Sequence, residues 1–470
     1  MLNVSDAYLE LMNSNIRPQL EPVITLTGSD VDGNAISMEW TKSDIQELTY
    51  KREIDPAGRS LPYMELSWTE RVSDPAQINE QKYNNVGEYM AIDLKFNQKL
   101  NFYSTWKTLF NSGMTWASLF NQKITWKQLK ELATLESIKM PRMFLSAKPI
   151  FNKNTIRWTA KDFLGFLADD TVTNFMAGIP FVNPIKYMLM NSITPFIDNV
   201  EMRNVILATV NNLTAFQDSA GLTLGHHIVF DNSLQNNLLN YSNIKSLFWN
   251  FLPDGSAMPY SSFDGSATNV SFGRKVLYDY PEIVKNSNIA QYSYTLTNYE
   301  ENESRNYTKS SSFNTSYGDS VLYTWNFDGY GTIKDSYNST LKDSSVYDIN
   351  KAVGWVDGDM VITPIEVNKV NEVAMINRVG ETYTEDNPLN GLKSDALTRL
   401  LYLDLYFRKE NWSYSFEALP NLAIEPGDLV TVAINRNTDS GAKEGKRVLV
   451  INTEFTYNGA IREKLKAHGV

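Results

Sequence analysis

Apolar residues in the first part of the chain recur at every second position, and this period constrains the fold more than any other feature. Met64, Leu66 and Trp68 fall on one side of an extended strand. Met90, Ile92, Leu94 and Phe96 do the same on another, with Ala91, Asp93 and Lys95 opposite. A strand with one dry face must set that face against a second layer, which predicts a sandwich or barrel. Val23 to Thr27 and Ile36 to Trp40 flank Ser29-Asp30-Val31-Asp32-Gly33-Asn34, whose Asp-Gly and Gly-Asn pairs suit a tight reversal, so a hairpin is expected there. The polar run from Asp74 to Asn85 reads as a surface loop.

Further along, the period changes. Thr105-Trp106, Thr115-Trp116 and Thr125-Trp126 open three similar units ten residues apart, each with Leu three positions after the Trp. Ten residues are too few for a solenoid repeat, so these read as three one-turn helices, with Thr as N-cap and with Trp106, Trp116 and Trp126 as packing anchors on a neighbouring sheet. A sugar-stacking ladder is the sharper alternative, but burying a large aromatic favours the anchor role. Phe144 to Ala147 and Thr155 to Thr159 bracket the turn Asn152-Lys153-Asn154 and lead into residues 160–169. There the period becomes helical, with Phe163, Phe166 and Leu167 inward and Lys161, Asp162 and Asp169 outward. Residues 184–224 read as mainly helical, best over Val200 to Val210, and 252–275, rich in Pro, Gly, Ser and Asp, as an exposed loop. Strands return at Tyr292 to Thr297 and Val321 to Phe327, with a turn or loop from Glu300 to Ser312 between them. Lys393 to Lys409 has the wide apolar face of a helix, and the tail is β again at Trp412 to Phe416, Leu429 to Ile434 and Val448 to Tyr457.

Composition excludes several chemistries. With no Cys in 470 residues there is no disulfide, thiolate nucleophile or Cys-ligated metal. Three His (His226, His227 and His468) leave little material for a histidine metal centre or a His base. The net charge of −11, without a basic block, argues against gripping nucleic acid through its phosphates. Met1 to Asp6 lacks the basic start and apolar core of a secretion signal, and no window approaches the ~20 apolar residues of a spanning helix. Neither leader nor membrane span is therefore expected.

Three motifs fail on spacing. Gly441 to Arg447 has three residues between its glycines and Arg447 after the Lys, so it reads as a loop between terminal strands and not as a phosphate loop. Asp30 to Asn34 begins like a calcium loop, but the twelfth position is Thr41 where a Glu is needed. His226 and His227 point to opposite faces of a strand and cannot easily share an ion. No catalytic, cofactor-binding or metal residue is assigned, and no cofactor is expected.

One ordered set of segments is more informative. Glu385-Asp386-Asn387-Pro388-Leu389 precedes the Lys393 to Lys409 helix, then the aromatic strand Trp412 to Phe416, then Leu419 to Ile424 and the turn Glu425-Pro426-Gly427-Asp428 into Leu429 to Val432. Pro at the second and Gly at the third position of that turn suit type II geometry. This succession resembles the tail-hub, or baseplate-hub, family of bacteriophages, in which an Asp-Asn-Pro segment, a helix, an aromatic strand and a Glu-Pro-Gly-Asp turn recur in this order. The strand and short helix from Trp158 to Asp169 are similar to the close of that family's first tube domain. Together these stretches cover under a fifth of the chain.

The resemblance implies an α+β, β-dominated multidomain chain with two related β-barrel-like tube domains and a smaller mixed or helical domain between them. The expected parts are 1–180, with the Trp repeat inserted at about 104–132; 181–285, mixed; and 286–470, with the helix 393–409. It also implies a homotrimer that joins a sixfold tail tube to the tip at the distal end of the virion's tail. The partners it implies are a distal-tail or tube protein, a tape-measure protein and tip spike or receptor-binding components. An acidic channel wall would let DNA slide through. Catalysis is not expected. The alternatives are a secreted glycan-binding module or glycosidase, suggested by the Trp and Tyr content, and a hexameric distal-tail ring protein.

Overall fold

A computed structural model places one sheet of fifteen strands at the centre of a β-dominated α+β fold. It describes residues 4–5, 8, 12, 20–29, 33–55, 58, 60–72, 83, 86–87, 89–100, 115–121, 134–167, 174–175, 185, 189, 199–215, 228–229, 234–244, 248–260, 267–274, 276–286, 289–301, 305–307, 320–327, 331–338, 351–356, 359–375, 381–385, 412–434 and 445–469, with the backbone alone over the strands from 289 to 385.

The first nine strands of the central sheet are β1 (Leu20–Ser29), β2 (Ala35–Trp40), β3 (Ile45–Glu53), β4 (Tyr63–Arg71), β5 (Ala91–Leu100), β6 (Thr134–Lys139), β7 (Met143–Leu145), β8 (Ile150–Asn152) and β9 (Thr155–Lys161). The other six are β10 (Ala267–Phe272), β11 (Glu282–Lys285), β12 (Trp412–Ala418), β13 (Leu429–Val432), β14 (Lys446–Tyr457) and β15 (Ile461–Gly469). Across the sheet the order is β11-β12-β15-β14-β3-β4-β9-β7-β5-β1-β2, with β13 pairing β14, β10 pairing β13, β6 pairing β5 and β8 pairing β9. The two ends of the chain therefore meet inside one sheet, where β14 and β3 run antiparallel from Asn452↔Glu53 to Tyr457↔Leu48.

The period-two reading holds for Met64 to Trp68 and for Met90 to Phe96, except that Ala91, expected opposite the dry face, is buried as well. Met64, Leu66, Trp68, Ile92, Leu94 and Phe96 are buried, and β1 and β2 form the expected hairpin, with Gly33 at φ +81° in the turn. Trp40, Trp68 and Trp158 meet inside, their ring centroids 4.9–5.6 Å apart. Among the described residues, three helices accompany the sheet: α1 (Trp116–Asn121), α2 (Val200–Ala215) and α3 (Leu234–Ile244). Asn199 caps α2 by accepting the Met202 N–H at 2.9 Å. Arg142 ties that helix to the sheet, reaching Glu201 while gripping Asp93 through two bonds of 2.9 Å.

Several expectations are corrected. Residues 163–166 make a single 3-10 turn, and Asp162, expected to face outward, is 1% exposed. Its carboxylate accepts the Gly165 N–H at 3.1 Å and the Met64 N–H at 2.6 Å, so it caps the turn and docks it on β4. Burial pushes this carboxyl up to about 6. The 252–275 stretch contains strands: Phe248–Phe251 pairs with Ala257–Tyr260 across a turn at Pro253 to Ser256, and β10 runs parallel to β13. Arg305–Tyr307, inside the expected 300–312 loop, pairs with the long strand Asp359–Met375. For β10 and Arg305–Tyr307, backbone pairing with partners distant in sequence prevails over local composition.

The main sheet leaves and resumes at a single rung. Lys285 of β11 stands opposite Trp412 of β12, and the Asn286 side-chain amide donates to Ser413 Oγ at 2.7 Å. The described strands between 289 and 385 pair among themselves and not with the main sheet. Ile289–Glu301 pairs with Asp359–Met375 over eleven rungs and with Glu381–Glu385 in parallel.

Replacing Asp162 with Ala leaves two backbone N–H groups without their acceptor, one of them in a buried strand. We expect a loss of about 2–4 kcal/mol in urea unfolding. A loss under ~0.5 kcal/mol would show that the cap is dispensable.

Candidate functional site

Among the described residues, two hydrophobic cores pack against the sheet. The larger gathers β1 to β7, β9, α2 and α3, and the smaller gathers β10 and β12 to β15. Strands β14 and β15 contribute to both. On β15, Ile461 packs in the larger core and Leu465 in the smaller; on β14, Phe455 and Tyr457 pack in the larger, Val448 and Val450 in the smaller. The connection from β12 to β13 bridges them too, with Leu422 and Ala423 in one core and Ile424 in the other. Where the cores meet, the buried residues become polar: Arg52, Asn421, Glu425, Asp428, Asn452, Thr453 and Glu463. This seam is the candidate functional site.

Arg52 sits on β3 in the same alternating set as Leu48 and Tyr50, all buried. A guanidinium so placed needs an anion. Glu425 supplies it: Oε1 accepts from Arg52 at 2.8 Å, with the two side chains 3% and 9% exposed. Asn250 Oδ1 takes a second, longer bond of 3.3 Å. Burial works to raise the Glu425 carboxyl, but the Arg52 charge beside it prevails and holds it below the ordinary carboxylate range.

Glu425 begins the turn picked out in the sequence. The Asp428 N–H donates to the Glu425 carbonyl at 3.1 Å, and Gly427 between them has φ +99°, as type II geometry requires. The Asp428 carboxylate accepts the Glu425 N–H at 2.8 Å. Gly427 N–H donates to the Val450 carbonyl at 2.8 Å, and Val450 N–H to the Asp428 carbonyl at 2.9 Å. The turn is thereby hooked to β14 while its glutamate reaches β3.

A second acid closes the other side of the seam. Glu463 is fully buried on β15, and its Oε2 accepts the Asn421 N–H at 2.8 Å. Beside it the Tyr8 hydroxyl oxygen accepts the Leu422 N–H at 3.0 Å. Burial raises the Tyr8 phenol well above its usual value, aided by the Glu463 and Glu136 charges. It also pushes the Glu463 carboxyl up to about 8.

Of the residues singled out in sequence, Glu425, Pro426, Gly427 and Asp428 come together here. Asp386, Asn387, Pro388, the 393–409 helix, Trp106, Trp126, His226 and His227 lie outside the described residues. Trp116 opens α1 after Thr115, in a helix where Phe120 is 84% exposed; the Trp116 side chain lies outside the description. Sequence reasoning did not find Tyr8, Arg52, Asn421 or Glu463. For Arg52 and Glu463 a signal was present, since each is a charge on the apolar side of an alternating strand. Among the described residues, no three His, Asp or Glu groups gather to hold a metal ion, and no helix is long and apolar enough to cross a membrane.

No known protein family matches the chain in a scan against family profiles, and no curated protein sequence matches it. Solved structures do superpose. The prophage MuSo2 43 kDa tail protein from Shewanella oneidensis does so with a TM-score of 0.43 at 9% identity, over 95% of this chain and 98% of that one. A tail protein from Neisseria meningitidis MC58 gives 0.45 at 8% identity, over 95% and 96%. The E. coli c3393 protein, described as a component of the type VI secretion system, gives 0.38 at 8% identity, over 91% and 74%. None of the three reaches 0.5, so functional assignment rests on the residues themselves.

Arg52→Met alone strands Glu425 in the seam, and we expect it to cost about 3–5 kcal/mol. The double variant Arg52→Met/Glu425→Leu removes both charges and should recover most of that loss. Because Glu425 titrates below its unfolded value, its contribution is present above the usual carboxylate range and disappears as pH falls through the folded value. The double variant should therefore flatten part of the acid limb of stability against pH. Equal stability in the single and double variants would mean that the pair is not coupled.

Proposed function

We propose that this chain is a structural component of a phage or phage-like tail: the hub at the distal end of the tail tube, three copies of which form a ring joining the sixfold tube to the tip. The observation that carries this reading is the double role of the Glu425 to Asp428 turn. It is the last member of the ordered set of segments that resembles the tail-hub pattern, and it is also the clamp that fastens the C-terminal strands to the N-terminal ones. A ring subunit under axial load needs two β-rich parts that move as one, and a shared sheet with a buried ion pair across it serves that need.

In this reading the chain is not an enzyme. The acids at the seam are engaged with Arg52 and with backbone amides inside the protein, away from any substrate. Its partners are copies of itself, a distal-tail or tube protein, a tape-measure protein and tip spike or receptor-binding components. Two related tube domains per subunit, six in a trimer, match the tube's symmetry, and DNA passes through the opened ring.

Mass photometry of the purified chain, alone and with its tube or distal-tail protein, tests this directly. A trimer of the 53.5 kDa chain, about 160 kDa, is expected in at least the mixed sample. A monomer under both conditions would end the hub reading, and a hexamer would favour a distal-tail ring.

A further inference from the structure

At Glu463 the geometry points to a proton-held latch: the protonated carboxyl keeps the 419–424 connection and Tyr8 docked on the seam, and loss of that proton releases them.

Consider first what surrounds the carboxyl. Its cross-strand neighbours are Phe455 on β14 and Ala418 on β12, neither of which carries charge. On its own strand Ile461 and Leu465 are buried, while Arg462 and Lys464 are exposed on the other face. Glu454 of β14 and Glu417 of β12 stand opposite Lys464, also on that outer face. From the connection come the Asn421 N–H and, four residues on, Glu425, which is committed to Arg52 of β3, and Asp428, which holds the Glu425 N–H. The N-terminal segment contributes the Tyr8 hydroxyl, and β6 contributes Glu136, which accepts the Ser5 N–H at 2.8 Å. Among the described residues, Glu463 Oε1 has no hydrogen-bond partner.

An ionised carboxylate offers about four acceptor sites, and here one is filled. A protonated carboxyl needs fewer partners and carries no charge into an apolar surround, so the closed seam selects the acid form. Burial raising the group to about 8 agrees with that. When the proton leaves, Oε1 must be solvated. Among the described residues, the groups beside the carboxyl that are not fixed in the sheet are Asn421, whose N–H it accepts, and Tyr8, which holds Leu422. Two successive N–H groups, Asn421 and Leu422, hang from Glu463 and Tyr8, so admitting water there means undocking the connection. This latch does not depend on the tail reading.

The sign follows from linkage. Folded Glu463 binds its proton more tightly than the unfolded chain does, so its contribution is complete below about 4.5 and is lost as pH rises through about 8. Between those values the folding constant should fall tenfold per pH unit on account of this one group.

Amide hydrogen exchange of the full chain, corrected for intrinsic base catalysis, tests the latch between pH 6 and pH 9. Protection at Asn421 and Leu422 should drop at least tenfold in the native protein and stay constant in Glu463→Gln, whose amide is neutral throughout. Tyr8→Phe should lower Leu422 protection at every pH while keeping the pH dependence. Constant protection in the native protein, or an equal drop in Glu463→Gln, would overturn the proposal. Should Glu463→Gln fail to fold, infrared spectroscopy of the native chain decides: a protonated carboxyl band still present at pH 7.5, well above the value near 6 of Asp162, and gone by pH 9 supports the latch, and its absence at pH 7.5 sinks it.

Discussion

One sheet shared by two hydrophobic cores is the constraint on which the rest of the structure depends. Strands β3 and β14 carry residues 399 positions apart into direct contact at Glu53 and Asn452. The entropy of closing such a loop grows only slowly with length, but it must be repaid at one seam. Backbone pairing supplies part of that and fixes no identity by itself. A buried Arg52 facing a buried Glu425 does, because either one alone would be an uncompensated charge in an apolar layer. The pair therefore contributes more to the uniqueness of the docking than to its strength.

The outer face of the same sheet adds a second register signal. Six residues stand opposite one another in one row across six strands: Glu417, Lys464, Glu454, Lys51, Glu65 and Lys161. Their signs alternate without a break, over β12, β15, β14, β3, β4 and β9. Each opposed pair contributes only about 0.2–1 kcal/mol on an exposed face. A slip of two residues keeps every side chain on its own face, so hydrophobic burial alone resists it weakly. Sliding β14 that way on β3 sets Glu454 against either Thr49 or Glu53, and the second is a like-charge contact. The row and the Arg52–Glu425 pair thus specify the same register from opposite sides of the sheet.

What could be read in sequence follows from how far each signal reaches along the chain. Alternation around Met64 and Ile92, the β1–β2 hairpin and the Glu425 to Asp428 turn are decided within about ten residues, and they are where the sequence places them. Strand β3 escaped notice because Lys51, Arg52 and Glu53 interrupt its alternation with three charges in succession. Those charges are there because each has a separate duty: Arg52 inward to Glu425, Lys51 and Glu53 outward to one another at 2.8 Å. Asp162 was placed on the wrong face for a related reason. An acid before an apolar run looks solvent-exposed until the N–H groups it must cap are found, and one of these belongs to Met64, far off in sequence. Polar residues in a seam are legible only once both sides of the seam are known.

Charge is distributed with the same logic. Residues 286–411 carry 18 acids against 11 bases, so they hold −7 of the chain's net −11. The remainder is close to balance, and the row across the shared sheet has three charges of each sign. An acidic lining expected from overall composition is therefore not a property of that sheet's outer face. Repulsion of a polyanion scales with the local excess of like charge within about 10 Å, not with the sum over a 53.5 kDa chain. The chain's acidic excess therefore belongs to residues 286–411 and not to the alternating face of the shared sheet.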